Sequence, residues 1–128
     1  MKKQRPRISA AEWLVCQALW ERGPQKANDI VAALANRTQW KPKTIRTLLN
    51  RLVKKGVAGY HKQGREYEYY SLISQSRCIR EETRSFVERV FGGSARPMLA
   101  AFLEEKQLTP EEIAELKAML EEKERGQK

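Results

Sequence analysis

The chain has 128 residues, a formal net charge of +9 and 41% apolar residues, which allows one domain with an extension and a modest core. No stretch approaches the ~18 consecutive apolar residues of a membrane span. The cysteines are Cys16 and Cys78, each without a second Cys or His at ligand spacing, so neither a disulfide framework nor a metal motif is expected.

The charge is uneven. Residues 1–72 carry 15 Lys/Arg against 5 Asp/Glu, whereas residues 73–128 carry 10 against 11. The excess positive charge therefore points to a polyanion partner for the N-terminal half. An anionic membrane surface is the rival, but this half lacks the aromatic and leucine face such binding needs. Cysteine usage fits a reduced cytoplasm, with Cys16 a small core residue. The opening MKKQRPR is followed by ISAAEWLVCQALWERG, which Glu12 and Gln17 interrupt, so no signal peptide is expected.

The first element is announced by Ser9 and Glu12, a capping box. The helix it opens has Trp13, Cys16, Leu19 and Trp20 as its apolar face, and Gly23-Pro24 ends it. A second short helix starts at Lys26 or Asn28 and turns Ile30, Val31 and Leu34 inward. Residues 36–40 are polar and turn-like.

The third helix is the most informative, in WKPKTIRTLLNRLVKKG over residues 40–56. Pro42 suits the first helical position, where its missing N–H is not needed. Ile45, Leu48, Leu49, Leu52 and Val53 recur as one apolar stripe. Lys43, Thr44, Thr47, Asn50, Arg51 and Lys54 cover the other side; none is acidic and all donate hydrogen bonds, as a major-groove helix requires. Gly56 can supply the stop. An amphipathic helix with a merely solvated basic face is the plainer reading of this segment taken alone.

After Gly56, VAGYHKQ and EYEYYSL flank Gly64-Arg65 and read as a β-hairpin. Three helices followed by a hairpin is the order of a winged helix-turn-helix, the third helix reading the groove and the hairpin forming the wing. The register of the second strand stays open, because Tyr67/Tyr69 and Tyr70/Leu72 alternate between faces. Helices are expected over residues 74–91 and 97–105, separated by Gly92-Gly93, and after the Thr109–Glu112 capping box; residues 123–128 look frayed. The fold class is mainly α, a winged helix-turn-helix domain over 1–73 and an α-helical region over 74–128. The latter helices are too few and too short to close a core, so a second copy is the simplest cover for Phe86, Val90, Met98, Leu99, Phe102, Ile113, Leu116 and Leu120; packing back on the N-terminal domain is the alternative.

Catalysis leaves no signature. His61 lies in the first wing strand, where a structural or backbone-contacting role outweighs general base, and no phosphate loop, paired-carboxylate site or nucleophile–base set can be assembled. The chain is expected to be no enzyme and to need no cofactor or metal.

The chain resembles the BlaI/MecI penicillinase repressors, within the wider group that includes the copper-responsive CopY repressors. The resemblance runs from about residue 8 to 120 and rests on ISAAEWLV, WKPKTIRTLLNRLVKKG, EYEYYSL and FLEEKQLTPEEIAEL. It implies a homodimeric transcriptional repressor whose winged helix binds double-stranded operator DNA with dyad symmetry, in an operon of the β-lactamase or antibiotic-resistance type, with C-terminal helices that dimerise. By position on the family's helix, Lys43, Thr44 and Thr47 serve bases and nearby phosphates, and Arg46 and Arg51 the backbone. Arg65 at the wing tip would meet phosphate or minor groove. The family is induced by proteolysis from a membrane-bound sensor metalloprotease that detects β-lactam, and the cut maps onto Ala101–Phe102. The family has Asn before this Phe and this chain has Ala101. The copper branch carries a C-terminal cysteine motif, and no cysteine follows Cys78 here. Release by a small ligand, or use of the winged helix as a protein-interaction module, are the competing readings.

Overall fold

The structure, a computed structural model, describes residues 7–127, so Lys2, Lys3 and Arg5 of the basic start, and Lys128, lie outside the described residues. Ser9 caps α1 (Ala10–Arg22) in a full capping box with Glu12, and Gly23 at φ +77° closes it. Its buried face is Val15, Cys16, Ala18 and Leu19, together with Glu12, while Trp13 and Trp20 are half-buried. The tryptophans meet edge to face at 5.5 Å.

Next come β1 (Gln25–Lys26) and α2 (Ala27–Leu34), the latter with Lys26 as N-cap and Asp29 accepting from the Lys26 N–H at 3.3 Å. Ile30 and Leu34 are buried and Val31 partly so. Pro42 is the first residue of α3 (Pro42–Lys54), whose Ile45, Leu48, Leu49 and Leu52 are all within 4% of full burial. The helix ends in a Schellman motif: Gly56, at φ +76°, donates to Val53 O (3.1 Å) and Val57 donates to Leu52 O (3.0 Å). Val57 and Leu52, the apolar pair of that motif, are both buried.

The hairpin is β2 (Ala58–Gln63) and β3 (Glu66–Ser71), joined by Gly64-Arg65 with Gly64 at φ +63°. Tyr60 pairs with Tyr69 and Lys62 with Tyr67, which settles the register. Ala58, Tyr60, Lys62, Tyr67, Tyr69 and Ser71 share one face, buried at its base by Ala58 and Tyr69. Gly59, His61, Glu66, Glu68 and Tyr70 share the other. β1 was not expected from the sequence: it adds to β3 antiparallel, Gln25 opposite Tyr69, giving the order β1-β3-β2. Gln25 locks that corner by donating from Nε2 to Ala18 O (2.8 Å) and Gly23 O (3.1 Å). Trp20 Nε1 donates to Ser71 Oγ and Ile73 O, both at 3.0 Å, tying α1 to the end of the sheet.

Three further helices follow: α4 (Gln75–Phe91), α5 (Ala95–Glu105) and α6 (Pro110–Gly126). Two boundaries differ from expectation. α5 begins two residues before Pro97, which is tolerated because first-turn N–H groups have no partner in the helix. α6 runs on to Gly126, so residues 123–126 are helical and Gln127 is the cap; Arg125–Glu122 pairing and basic residues in the last turn favour that continuation.

Packing divides the chain into two units, one ending at Glu82 and the other beginning at Thr83, within α4. The first holds the whole buried core, and Cys78 is the buried residue of α4. The second has no buried residue in α5 or α6.

Candidate nucleic-acid interface

Successive residues of α3 are turned by about 100°. With Ile45, Leu48, Leu49 and Leu52 sealed into the core, Lys43, Thr47, Asn50 and Lys54 form the ridge directly opposite, and all four are exposed. Thr44 and Arg51 lie along one flank of that ridge and Arg46 along the other, all exposed. The buried stripe thus fixes which way the polar face looks.

The charges of this face are unpaired. Arg7, Lys26, Arg37, Lys55 and Arg77 each have a carboxylate partner within 4 Å. Among the described residues, Lys41, Lys43, Arg46, Arg51 and Lys54 of the α3 segment have none, nor do Lys62 and Arg65 of the wing; in the rest of the first unit only Arg22 and Arg80 share that condition. Within the first unit, uncompensated cations are therefore concentrated on α3 and the hairpin.

The helix ends reinforce the point. α1, α2 and α6 each carry an acidic residue in the first turn, the sign that the helix dipole favours. α3, like α4 and α5, carries none there, and it has Lys43 instead, preceded by Lys41. That arrangement disfavours the isolated helix and favours an external anion at its N-terminus.

Arg46 faces the wing. It lines a shallow pocket with Lys26, Asn28, Glu66, Tyr67 and Tyr69. Burial, then the nearby Tyr60 and Tyr67, push the Tyr69 phenol above its ordinary pKa, while Arg46 pulls the other way. Lys26 is held charged by its hydrogen bond and ion pair to Glu66 at 2.9 Å, so the pocket's second cation is already neutralised. On the wing, Tyr60 and Tyr67 are half-exposed and meet edge to face at 5.1 Å. Arg65 sits exposed at the turn. His61 lies on the opposite face and meets Glu68 at 2.9 Å, a role in holding the hairpin.

The residues named from sequence therefore divide. Lys43, Thr44, Thr47 and Arg51 are brought together on one exposed side of α3, Arg46 lies toward the wing, and Arg65 stands apart at the hairpin tip. Asn50 and Lys54 belong to the same ridge, a placement their helical spacing from Lys43 and Thr47 already carried. Cys16 is 1% exposed, and burial, with Cys78 nearby, pushes its thiol up to about 12, so it is inert at neutral pH.

The sequence profile of the penicillinase repressor family matches residues 8–122. The chain belongs to the penicillinase repressor family. This is a family of DNA-binding transcriptional repressors, not of enzymes. Among its relatives, the penicillinase repressor of Bacillus licheniformis is 40% identical over 120 residues, covering 94% of each chain. The methicillin resistance regulatory protein MecI of Staphylococcus aureus strain N315 is 35% identical over 116 residues, covering 91% of this chain and 94% of the relative. The solution structure of the DNA-binding domain of the repressor BlaI matches with TM-score 0.52 and 39% identity over 59% of this chain and 92% of that one. The monomeric form of B. licheniformis BlaI in complex with the blaP half-operator matches with TM-score 0.50 at the same identity and coverage. The winged-helix fold is also seen in the more distant apo MarR of E. coli, at TM-score 0.52 and 18% identity. Within this repressor chain no described helix is long and apolar enough to cross a membrane.

Proposed function

We propose that the chain is a homodimeric repressor of an antibiotic-resistance type operon, binding a dyad operator through α3 and the wing. Residues 1–73 form the DNA-binding part and 74–128 the dimerising part. The observation that carries this reading is the set of unpaired cations on α3 and the hairpin, in a first unit whose other described cations, Arg22 and Arg80 apart, are paired with carboxylates. Lys43, Thr44 and Thr47 contact bases and adjacent phosphates, Arg46 and Arg51 the backbone, and Arg65 a phosphate or the minor groove. The BlaI half-operator complex, whose protein shares this fold at 39% identity, supports the partner.

The second copy covers the apolar face of the C-terminal helices. Phe86, Val90, Leu99, Phe102, Ile113 and Leu120 are each at least 40% exposed, and Met98 and Leu116 are half-buried. With Leu103 and Met119, eight exposed large apolar side chains lie among the described residues of the second unit, a surface that water alone does not stabilise. Joining two reading heads makes the second half-site contact effectively intramolecular, so affinity rises without new contacts.

Release follows from a cut at Ala101–Phe102 by a sensor metalloprotease. α5 has no side-chain cap at Ser94, follows Gly92-Gly93 and buries nothing, which makes it a unit that opens readily into the extended form a protease needs. Ala101 offers no amide side chain, so recognition rests on Phe102 and its neighbours.

The test is to select a duplex from random DNA with the full chain, then compare it with a chain ending at Ala101. The full chain is expected to run as a dimer and hold the selected duplex against excess random DNA. The truncated chain is expected to be monomeric, folded, and weaker by at least ~100-fold. A truncated chain that stays dimeric and binds equally would refute the dimerisation and release scheme; a full chain that selects nothing would refute the repressor reading.

A further inference from the structure

Two threonines share the exposed side of α3, and their hydroxyls are in different states. Thr47 Oγ1 donates to Lys43 O, one turn back, at 3.0 Å. Among the described residues the Thr44 hydroxyl makes no such bond. A threonine hydroxyl has one proton. At Thr47 that proton is committed to the helix backbone, so the side chain cannot donate to guanine O6/N7, adenine N7 or thymine O4 without giving up a bond already made. With Oγ1 turned back along the helix, the other branch on Cβ, the Cγ2 methyl, is what the ridge presents. Thr47 stands about 200° round from the buried Ile45, near the centre of the exposed ridge.

In the major groove the one base feature a methyl group matches is the C5-methyl of thymine. Building on the DNA-binding reading above, we infer that Thr47 is a thymine-specifying residue that reads the C5-methyl through its own Cγ2 methyl, its hydroxyl serving only the helix. Thr44, one turn earlier and with its hydroxyl unengaged, is the threonine that hydrogen-bonds to DNA. Two identical residue types thus serve as an apolar reader and a polar one, according to what their hydroxyls already do.

The experiment uses the full chain and the duplex it selects from random DNA. Each thymine in one half-site is replaced in turn by deoxyuridine, which removes the C5-methyl and nothing else. Binding is measured for the wild type, Thr47→Val and Thr47→Ser, with helical content checked by circular dichroism. Burying one methyl is worth ~0.8 kcal/mol, about fourfold in affinity. The wild type is expected to lose about fourfold at one thymine position. Thr47→Val keeps the outward methyl and should bind like the wild type with the same deoxyuridine sensitivity. Thr47→Ser keeps the hydroxyl, should bind the thymine duplex about fourfold less well, and should be indifferent to deoxyuridine at that position. If Thr47→Val loses affinity while Thr47→Ser does not, the hydroxyl is the reader and the inference is overturned. The same holds if no thymine position shows a loss that Thr47→Ser abolishes. A chain that selects no duplex overturns the DNA-binding reading along with this one, whereas selection with a flat deoxyuridine scan overturns this one alone.

Discussion

Lys55 lies immediately beyond α3 and reaches back to the start of α1. Its Nζ meets Glu12 Oε1 at 2.5 Å and Arg7 O at 2.6 Å. Glu12 is 1% exposed, and its second oxygen, Oε2, has no hydrogen-bond partner. Burial pushes the Glu12 carboxyl up, but the hydrogen bonds from Lys55 and Ser9 outweigh it and leave the group below the ordinary carboxylate range. Replacing Lys55 with Met keeps the aliphatic stem and strands a buried carboxylate. Removing one partner of a buried pair costs about 3–5 kcal/mol. The Lys55 side chain is 23% exposed, so water can approach and a cost of roughly 2–3 kcal/mol is expected. For a domain of this size that lowers Tm by roughly 10–20 °C. Glu12→Gln should cost less, about 1–2 kcal/mol, since the amide oxygen still accepts from Ser9 N–H. The double variant should be more stable than the sum of the singles implies, by about 1 kcal/mol or more. Urea and thermal melts of the four proteins read these values. A Lys55→Met protein within ~0.5 kcal/mol of the wild type would refute the reasoning, since surface changes of no consequence fall in that range.

The same pair sets a pH dependence. A carboxyl whose folded pKa lies below its unfolded value, ~4.3 for Glu, stabilises the fold fully above the unfolded value. That contribution is lost as pH falls through the lower, folded value. The melting temperature of the wild type should therefore fall on acidification below ~4.3, and Glu12→Gln should show a shallower fall over the same window.

Operator affinity should drop by about three to five decades between 50 and 200 mM salt if about 6–10 phosphates are contacted, and a flat dependence would dismiss the polyanion partner. Lys43→Ala should cost about 1–3 kcal/mol and relax the preference at one base pair per half-site, whereas Arg65→Ala should weaken all sequences alike and reduce the salt slope by about 1; equal behaviour of the two variants would contradict the division between reader and anchor. Gly59→Ala should loosen the wing, because the added Cβ would lie 2.9 Å from the Tyr70 ring carbon Cζ and force the ring off its seat across the strand. Faster hydrogen exchange at β2 and β3 amides, with α1–α3 unchanged, is the expected reading.

The elements that local chemistry announces were legible in the sequence. Ser9 with Glu12 and Thr109 with Glu112 cap their helices as their spacing requires, and Pro42 and Gly56 bracket α3. The exposed side of α3 was legible for the same reason, since burial of Ile45, Leu48, Leu49 and Leu52 leaves one orientation. What escaped depends on contacts distant in sequence. β1 is two residues long, too short for any alternation, and exists only because β3 offers it an edge. Glu12 read as a capping residue, and its second role depends on Lys55, 43 positions away. The hairpin register was ambiguous because tyrosines occupy both faces, and only the core beneath Tyr69 decides between them. Single hydroxyl bonds, such as that of Thr47, leave no pattern in the sequence.

α3 shows why fold and site have to be considered together. Its first turn lacks the acidic residue that α1, α2 and α6 use to favour their own ends, and its outward ridge crowds Lys43 and Lys54 with Arg46 and Arg51 on the flanks. Left to its own propensities, such a helix is destabilised at its N-terminus by charge and by the dipole. It is held by features that face away from the ridge. These are four leucine and isoleucine side chains in the core, the Schellman closure at Gly56 and Val57, and Lys55 turned inward onto Glu12. The cation at position 55 is neutralised because it serves the fold; those at 43, 46, 51 and 54 have no carboxylate partner, and on the proposed reading a carboxylate beside them would compete with phosphate for the same charge. Supplying a carboxylate to that face, for instance by Asn50→Glu, should therefore stabilise the free protein against heat while weakening its hold on DNA. That opposition of signs distinguishes a surface kept for an anionic partner from one that is merely solvated.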